Sequence, residues 1–131
     1  MPHFRLSEAA EILGVSDDTV RRWVSQDLLT SHADDAGRQV IDGAQIAAFA
    51  RARASSGSGG ERVSARNRIS GIVTEVLMDG LMAQVEVTAG RFRLTSLMSR
   101  EAAVEMGLEP GVAATVVIKA TTAIIEREGP R

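Results

Sequence analysis

In the first third of the chain, apolar residues recur at helical spacing. One face of a predicted helix carries Leu6, Ala9, Ala10 and Leu13. Ser7 caps this helix, and Gly14 ends it in a left-handed conformation. A second helix is predicted to begin at Ser16 and to place Trp23 in a core. Two short helices joined by a glycine-containing turn form the unit that enters the DNA major groove.

The segment that follows predicts a hairpin and a third helix. Residues 34–37 read Asp-Asp-Ala-Gly between two short extended runs, which is typical of a hairpin tip. Asp42 and Gln45 are spaced like a capping box at the start of the third helix. The residues of this helix predicted to face inward are Ile46, Ala47, Phe49 and Ala50.

In the second half, short runs alternate between apolar and polar positions, which is the pattern of half-buried strands. Asp79-Gly80 predicts a tight hairpin, and Ser99 predicts the N-cap of a short helix that stops near Gly107. Five strands with a helix between the third and fourth are the order of an OB-like barrel. The predicted strands are residues 69–78, 81–88, 91–98, 112–119 and 121–126.

A Gly/Ser stretch, ASSGSGGE at residues 54–61, separates the two patterns and is typical of a flexible linker. We therefore predict an α+β protein with a helix-turn-helix domain at 1–53, a linker at 54–62 and a barrel domain at 63–128. Domains of about 60 residues bury little surface, so partner subunits are expected.

Composition excludes several classes of protein. The 131 residues contain no cysteine, so disulfide scaffolds and thiolate metal sites are excluded. No apolar run approaches the ~20 residues of a membrane span, and the polar N-terminus does not resemble a signal peptide. We expect a cytoplasmic protein without membrane contact. Neither histidine has ligand spacing and no carboxylates form a catalytic frame, so we do not expect an enzyme.

The order S-E-A-A-E-I-L-G-V-S-x-x-T-V-R-R-W, followed by Leu-Leu, a hairpin and a closing helix, resembles the winged helix-turn-helix domain of MerR/excisionase-type regulators. The resemblance covers about residues 3–53 and implies double-stranded DNA as a partner. It implies that the second helix and the wing contact DNA through Ser16, Thr19, Arg21, Arg22 and Arg38.

The charge of this segment limits what one copy can do. Residues 1–53 hold six arginines and eight acidic residues, for a net charge of −2. Because phosphate neutralisation supplies most nonspecific affinity, one copy is expected to bind DNA weakly. A dimer that reads two half-sites would compensate, and the second half is expected to supply the dimer contacts.

Three separated motifs, S-A-R-N at 64–67, M-S-R-E at 98–101 and I-K-A-T at 118–121, resemble the molbindin (Mop/TOBE) domain over about residues 63–127. The resemblance implies molybdate or tungstate bound between subunits of a dimer or hexamer. Ala102 stands where such domains commonly carry a serine, so one hydroxyl donor of the pattern is absent. The oxyanion-binding residues carried over from the motifs are Ser64, Ala65, Arg66, Asn67, Ser99, Lys119, Ala120 and Thr121.

The donor set suits the ligand on chemical grounds as well. A tetrahedral dianion presents only acceptor oxygens, so hydroxyl, guanidinium, ammonium and backbone N–H groups are the groups it needs. Such a site rejects protonated phosphate but does not by itself separate molybdate, tungstate and sulfate. The sequence thus predicts an oxyanion-responsive transcriptional regulator. A molybdate storage protein and a constitutive DNA-binding protein whose barrel only oligomerises stay open as alternatives.

Overall fold

The structure is a computed structural model that describes residues 2–54 and 67–129. The described residues form two compact units, one of residues 2–54 and 126–129 and one of residues 67–125. The predicted linker lies almost wholly outside the described residues. No helix in the described part of the chain is long and apolar enough to cross a membrane.

Two helices form the first half of unit one, α1 (Leu6–Leu13) and α2 (Asp17–Ser25). Gly14 ends α1 with φ +71°, as predicted, because a residue without Cβ adopts this backbone without strain. The predicted cap at Ser7 is wrong: α1 begins at Leu6, and the Glu8 carboxylate accepts from the Arg5 backbone N–H at 3.0 Å.

Three short strands and a third helix complete unit one: β1 (His3–Arg5), β2 (His32–Ala33), β3 (Gln39–Asp42) and α3 (Gly43–Arg53). The strands pair antiparallel in the order β1-β3-β2, and β2 and β3 form the predicted hairpin.

The predicted capping box at the start of α3 is wrong. Asp42 occupies the N-cap position without a side-chain cap hydrogen bond. Gln45 instead pairs with the backbone of Thr30, accepting from its N–H at 2.5 Å and donating to its carbonyl at 3.1 Å. The amide of Gln45 therefore acts like a short strand partner that ties the segment before β2 to α3.

The core of unit one lies where the three helices meet the sheet. Trp23 is buried as predicted and packs against Phe49, with ring centroids 4.9 Å apart and ring planes tilted by 51°. The other buried members of this core are Ala9, Ala10, Val20, Leu29, Ile41 and Ile46.

Unit two is a four-stranded antiparallel sheet in the order β6-β5-β4-β7 with one short helix. Its elements are β4 (Asn67–Met78), β5 (Met82–Ala89), β6 (Phe92–Ser99), α4 (Arg100–Glu105) and β7 (Ala113–Ile118). Alternate positions point inward, and the core centres on Val73, Val85 and Val87. Ser99 caps α4 as predicted, accepting from Ala102 N–H at 3.1 Å.

The prediction of a fifth strand at residues 121–126 is wrong for the described chain. Ala120–Thr122 form a 3-10 turn, and residues 123–129 have no regular secondary structure. The side chains of Ile124 and Ile125 are 95% and 94% exposed. The alternation of this segment is that of a strand, but within one copy it pairs with no strand of the described sheet, so a closed five-stranded barrel does not form.

Candidate functional site

The N-terminus of α2 presents two hydroxyl groups that were predicted to approach DNA. Ser16 caps the helix by accepting from Thr19 N–H at 3.2 Å, and the two side-chain oxygens lie 2.9 Å apart. Asp17 and Asp18 occupy the first turn, where carboxylates interact favourably with the helix dipole. The capping bonds fix both hydroxyls at the start of the helix, and Ser16 is exposed.

Arg21 and Arg22 lie on the exposed side of α2, opposite the buried Val20 and Trp23. Arg21 makes only a loose ion pair with Asp18, with 3.9 Å between the nearest nitrogen and oxygen and both side chains mostly exposed. Such surface pairs contribute little energy. Both guanidinium groups are therefore available to an external anion.

The hairpin between β2 and β3 holds Arg38 in place through Asp34. The Asp34 carboxylate accepts from the backbone N–H of Arg38 at 2.8 Å and of Ala36 at 2.9 Å, and from the Arg38 guanidinium at 3.1 Å. The Arg38 backbone bond is the main cause that lowers the pKa of Asp34. The guanidinium is thus oriented by a carboxylate four residues earlier.

At one end of the sheet of unit two, the structure brings Asn67 and the I-K-A-T segment together. Asn67 is the register partner of Ile118, so Lys119 follows directly beside the start of β4. The Lys119 carbonyl accepts from both the backbone N–H and the hydroxyl of Thr122, at 3.0 and 2.9 Å. These two bonds hold the 3-10 turn that contains Ala120 and Thr121.

Lys119 is chemically unusual in this chain, because it is the only lysine beside fourteen arginines. Its side chain is exposed. An ammonium is a compact charge with three rotatable donors, whereas a guanidinium is a planar fork. A lysine at this one place supplies a donor that adapts to a tetrahedral ligand.

Ser99 lies at the opposite end of the sheet. Its register partner is Met82, and the backbone N–H of the next residue, Arg100, donates to the Leu81 carbonyl at 2.8 Å in the turn between β4 and β5. Between Asn67 and that turn lies the full length of β4, 12 residues, or about 35 Å of strand at roughly 3.3 Å per residue. Ser99 and Lys119 of one copy therefore cannot contact the same anion.

The remaining predicted oxyanion residues, Ser64, Ala65 and Arg66, lie outside the described residues. Among the described residues no group of three or more His, Cys, Asp or Glu side chains could hold a metal cation. What the described part of the site offers is donors, in keeping with an anionic ligand.

Two residues with a structural part in these sites escaped the sequence prediction. Asp34 orients Arg38, and its i, i+4 spacing from Arg38 across a predicted hairpin tip was the available signal. Thr122 holds the Lys119 turn, but a threonine two positions after Ala120 carries no pattern that would single it out.

Comparison with protein families gives two matches that do not overlap. Residues 4–54 match the model of a helix-turn-helix domain, and residues 63–125 match the model of the TOBE domain. No curated protein sequence matches the chain.

Solved structures similar to the chain each align with half of it. A molybdate-binding protein from Sporomusa ovata is 23% identical over 50% of this chain and 98% of its own, with a TM-score of 0.49. MopII from Clostridium pasteurianum is 30% identical over the same shares, with a TM-score of 0.47. The cytoplasmic molybdate-binding protein ModG is 39% identical over 50% of this chain and 47% of its own, with a TM-score of 0.45.

Proposed function

Because the chain carries a helix-turn-helix domain at residues 4–54 and a TOBE domain at residues 63–125, we propose that it is a DNA-binding transcriptional regulator that responds to molybdate or tungstate. The first domain binds duplex DNA and the second binds the oxyanion. The observation that carries the oxyanion half is the register of β4 with β7, which places Asn67 beside the turn that holds Lys119.

In the first domain, α2 enters the major groove and the β2–β3 hairpin serves as the wing. Arg21 and Arg22 contact base edges or phosphates, Ser16 and Thr19 contact the backbone near the helix N-terminus, and Arg38 contacts the phosphate backbone. The Asp34 carboxylate keeps the Arg38 guanidinium in one orientation, so less side-chain entropy is lost on binding.

In the second domain, donors from the two motifs at the start of β4 and the end of β7 surround the anion. Lys119 supplies charge, Asn67 and Thr121 supply neutral donors, and Ser64 and Arg66 complete the set. Backbone N–H groups at Ala65 and Ala120 are further donors. Donors without acceptors favour an unprotonated dianion over protonated phosphate.

The position of Ser99 supports a site shared between copies. Since about 35 Å of strand separates Ser99 from Lys119 within one chain, Ser99 reaches the anion only from a second subunit. We propose that the chain is a homo-oligomer, a dimer or hexamer, assembled through the TOBE domain.

The exposed C-terminal segment supports the same proposal. Ile124 and Ile125 are almost fully exposed, and the sheet of unit two has two edge strands, β6 and β7. Unpaired edges and exposed apolar side chains are features that proteins normally cover. A second copy that covers these edges and side chains would bring the Lys119 end of one sheet close to the Ser99 end of its neighbour.

Response to the anion then follows from mass action. An anion that binds between subunits stabilises the assembled state, and the assembled state presents two or more helix-turn-helix domains to DNA. We therefore expect molybdate to change the mass of the protein in solution. A protein that switches DNA affinity at constant mass would contradict this coupling.

The single lysine gives a direct test of the anion site. An amine-reactive reagent modifies only Lys119 and the N-terminal amine, and mass spectrometry separates the two. Molybdate and tungstate are expected to protect Lys119 while the N-terminus reacts at an unchanged rate. Equal reaction at Lys119 with and without both anions would refute the proposed site.

A titration of molybdate, tungstate and sulfate, read by calorimetry and by a DNA mobility-shift assay, separates the alternatives. Heat together with a change in DNA affinity identifies a regulator, and heat without DNA binding identifies a storage protein. DNA binding without heat from any anion identifies a constitutive DNA-binding protein. The feature that favours this last alternative is Ala102, which lacks the hydroxyl donor that a serine would supply at this position.

A further inference from the structure

A groove with an apolar lining runs between the β4–β5 turn and α4, beside Ser99. Its cavity volume is about 550 Å³. The apolar lining is Leu81 in the turn, which is 82% exposed, and Val104 in the helix, which is 60% exposed. The other lining residues are Gly80, Ser99, Arg100, Glu101 and Glu105. We call this surface the α4 groove.

Hydrogen bonds hold the two walls of the α4 groove together. The backbone N–H of Arg100 donates to the Leu81 carbonyl at 2.8 Å, and its guanidinium donates to the Asp79 carbonyl at 3.1 Å. The Asp79 carboxylate accepts from the backbone N–H groups of Leu81 and Met82. Because these bonds form within one copy, the groove is shaped before any occupant binds, which lowers the entropy lost on binding.

A second exposed apolar feature follows the turn that holds Lys119. Ile124 and Ile125 are adjacent, almost fully exposed, and part of a segment without regular secondary structure. We call residues 123–125 the isoleucine segment. The seven residues from Ile118 to Ile125 span at most about 25 Å, whereas about 35 Å of strand separates their end of the sheet from the α4 groove. The segment therefore cannot fill the groove of its own copy.

The two ends of the sheet carry opposite charge. At the groove end, residues 79–81 and 99–105 contain three acidic residues and one arginine, for a net charge of −2. At the other end, residues 67–69 and 118–125 contain one arginine and one lysine and no acidic residue, for a net charge of +2. Unlike ends of two copies therefore attract each other, and like ends repel.

The proposed anion site brings the same two features together. Val104 lies five residues after Ser99 along α4, a rise of about 7.5 Å. Ile124 lies five residues after Lys119, a span of at most about 18 Å. When Lys119 of one copy and Ser99 of another hold one anion, the isoleucine segment of the first copy is within reach of the α4 groove of the second.

We propose that the α4 groove of one copy receives the isoleucine segment of a second copy. This inference rests on the proposed anion site shared between copies and names the surface that aligns it. Two copies related by a twofold axis make the contact twice, so each anion has one such contact beside it. The contact buries Leu81 and Val104 together with both isoleucines.

Engineered disulfides test the contact directly, because the natural chain contains no cysteine. Full-length L81C/I124C and L81C/I125C are oxidised mildly with and without molybdate, and covalent dimers are measured on a nonreducing gel. A disulfide needs Cα atoms within about 7 Å, so none forms between these positions within one copy. At least one of the two variants is expected to crosslink in most chains, with peptide mapping showing a bond from Cys at 81 to the isoleucine segment.

The matched controls are T95C/I124C and T95C/I125C, which move the first cysteine to an exposed position in β6. They are expected to stay largely monomeric on the nonreducing gel, as are the single-cysteine variants. Circular dichroism of each variant shows that it is folded.

Association of cysteine-free variants gives a second measurement. I124D/I125D is expected to raise the dissociation constant of the oligomer about tenfold or more, since each isoleucine loses its burial. L28D/F92D adds the same charge at two other exposed apolar positions and is expected to stay within about twofold of the wild type. Analytical ultracentrifugation measures both.

The outcomes separate this inference from the proposed function. A wild type with oligomer mass but no crosslink in either L81C variant overturns the groove contact and leaves the shared anion site standing. Crosslinking in a T95C control overturns it too, because the segment then lies along the β6 edge. Equal losses in the two aspartate variants would assign the effect to charge alone. A wild type that stays monomeric with and without molybdate overturns both the inference and the proposed assembly.

Discussion

Single polar side chains fix the backbone at each place where a functional residue is presented. Ser16 and Ser99 accept from backbone N–H groups at the starts of α2 and α4. In the β2–β3 turn Asp34 accepts from the backbone N–H groups of Ala36 and Arg38, and in the β4–β5 turn Asp79 accepts from those of Leu81 and Met82. These bonds satisfy donors that the helices and turns leave without a partner. They also set where neighbouring charged residues stand.

Asp27 gives a prediction about stability. It follows α2 at φ +60°, and the backbone N–H groups of Asp27 and Leu28 donate to the carbonyls of Val24 and Trp23 in a Schellman arrangement. A left-handed backbone conformation costs a residue with a Cβ roughly 1–2 kcal/mol. Glycine avoids this cost, but the unfolded chain gains conformational freedom with glycine, which cancels part of the benefit. D27G is expected to raise the free energy of unfolding by about 0.5–1 kcal/mol.

Denaturant unfolding followed by the fluorescence of Trp23, the only tryptophan, measures this change within unit one. D27A is the control. It keeps the Cβ but loses the tolerance that Asp and Asn have for left-handed backbone, so it is expected to destabilise. If D27A also raised the free energy of unfolding, loss of the Asp27 side chain, and not relief of backbone strain, would account for the stabilisation.

Asp34 gives a prediction about pH. Its folded pKa lies below the ordinary value of 3.8, first because the Arg38 backbone N–H donates to it. A lowered folded pKa contributes stability above pH 3.8 that is lost as the pH falls through the folded value. The free energy of unfolding should therefore decline with acid below 3.8, and D34N should decline less steeply in that range. D35N alters a neighbouring carboxyl that makes none of these bonds, so this control is expected to keep the wild-type slope. A wild-type slope for D34N would contradict the assignment to Asp34.

At the scale of elements, Gly71 controls the approach of β4 to β5. A Cβ at Gly71 would meet the Thr88 carbonyl oxygen at 2.4 Å and its carbon at 2.9 Å, both of them backbone atoms. G71A is therefore expected to cost about 1–3 kcal/mol in unit two, as overpacking does.

Thermal unfolding followed by circular dichroism measures this cost, and Trp23 fluorescence shows whether unit one is spared. G80A in the β4–β5 turn is the matched control, since a Cβ there meets nothing within 4 Å. Similar losses from both variants would mean that general glycine effects, and not the Thr88 contact, account for the result.

Local patterns predicted most elements because the periodicity of a helix or a strand can be recognised within a short run of consecutive residues. The start of α2 at Ser16 and the cap at Ser99 followed from such patterns. The capping box at Gln45 failed because its amide finds the Thr30 backbone, 15 residues earlier, which no local pattern shows. The strand at 121–126 failed for a related reason: alternation reveals a surface with one apolar side but not whether another strand lies beside it.

The sequence likewise predicted the residues of the candidate oxyanion site but not their arrangement in space. Motif resemblance supplied Asn67, Ser99 and Lys119 as a single set, and residue spacing could not show that they lie apart. The register of β4 with β7 joins Asn67 to Lys119, while the length of β4 separates both from Ser99. Only the paired sheet shows that the proposed donors lie at two separate ends of one copy.

At the scale of the whole molecule, charge and site geometry both favour assembly. Each helix-turn-helix unit has a net charge of −2 and is expected to bind DNA weakly alone, and each TOBE unit presents the proposed oxyanion donors at two distant ends. The proposed assembly would complete the anion site and multiply the DNA contacts in one step. Anion and DNA then stabilise the same oligomer, so each is expected to raise affinity for the other.

A mixing experiment tests whether the anion site is shared. K119Q removes the ammonium, and S99D keeps an N-cap for α4 but places a carboxylate against the anion. Each variant alone should lose molybdate affinity. When the two chains are unfolded and refolded together, a symmetric dimer that pairs one chain of each kind contains one site with wild-type Ser99 and Lys119, so about a quarter of all sites should regain affinity. Refolding each variant separately is the control, and a mixture that binds no better than its components would place both residues' effects within single copies.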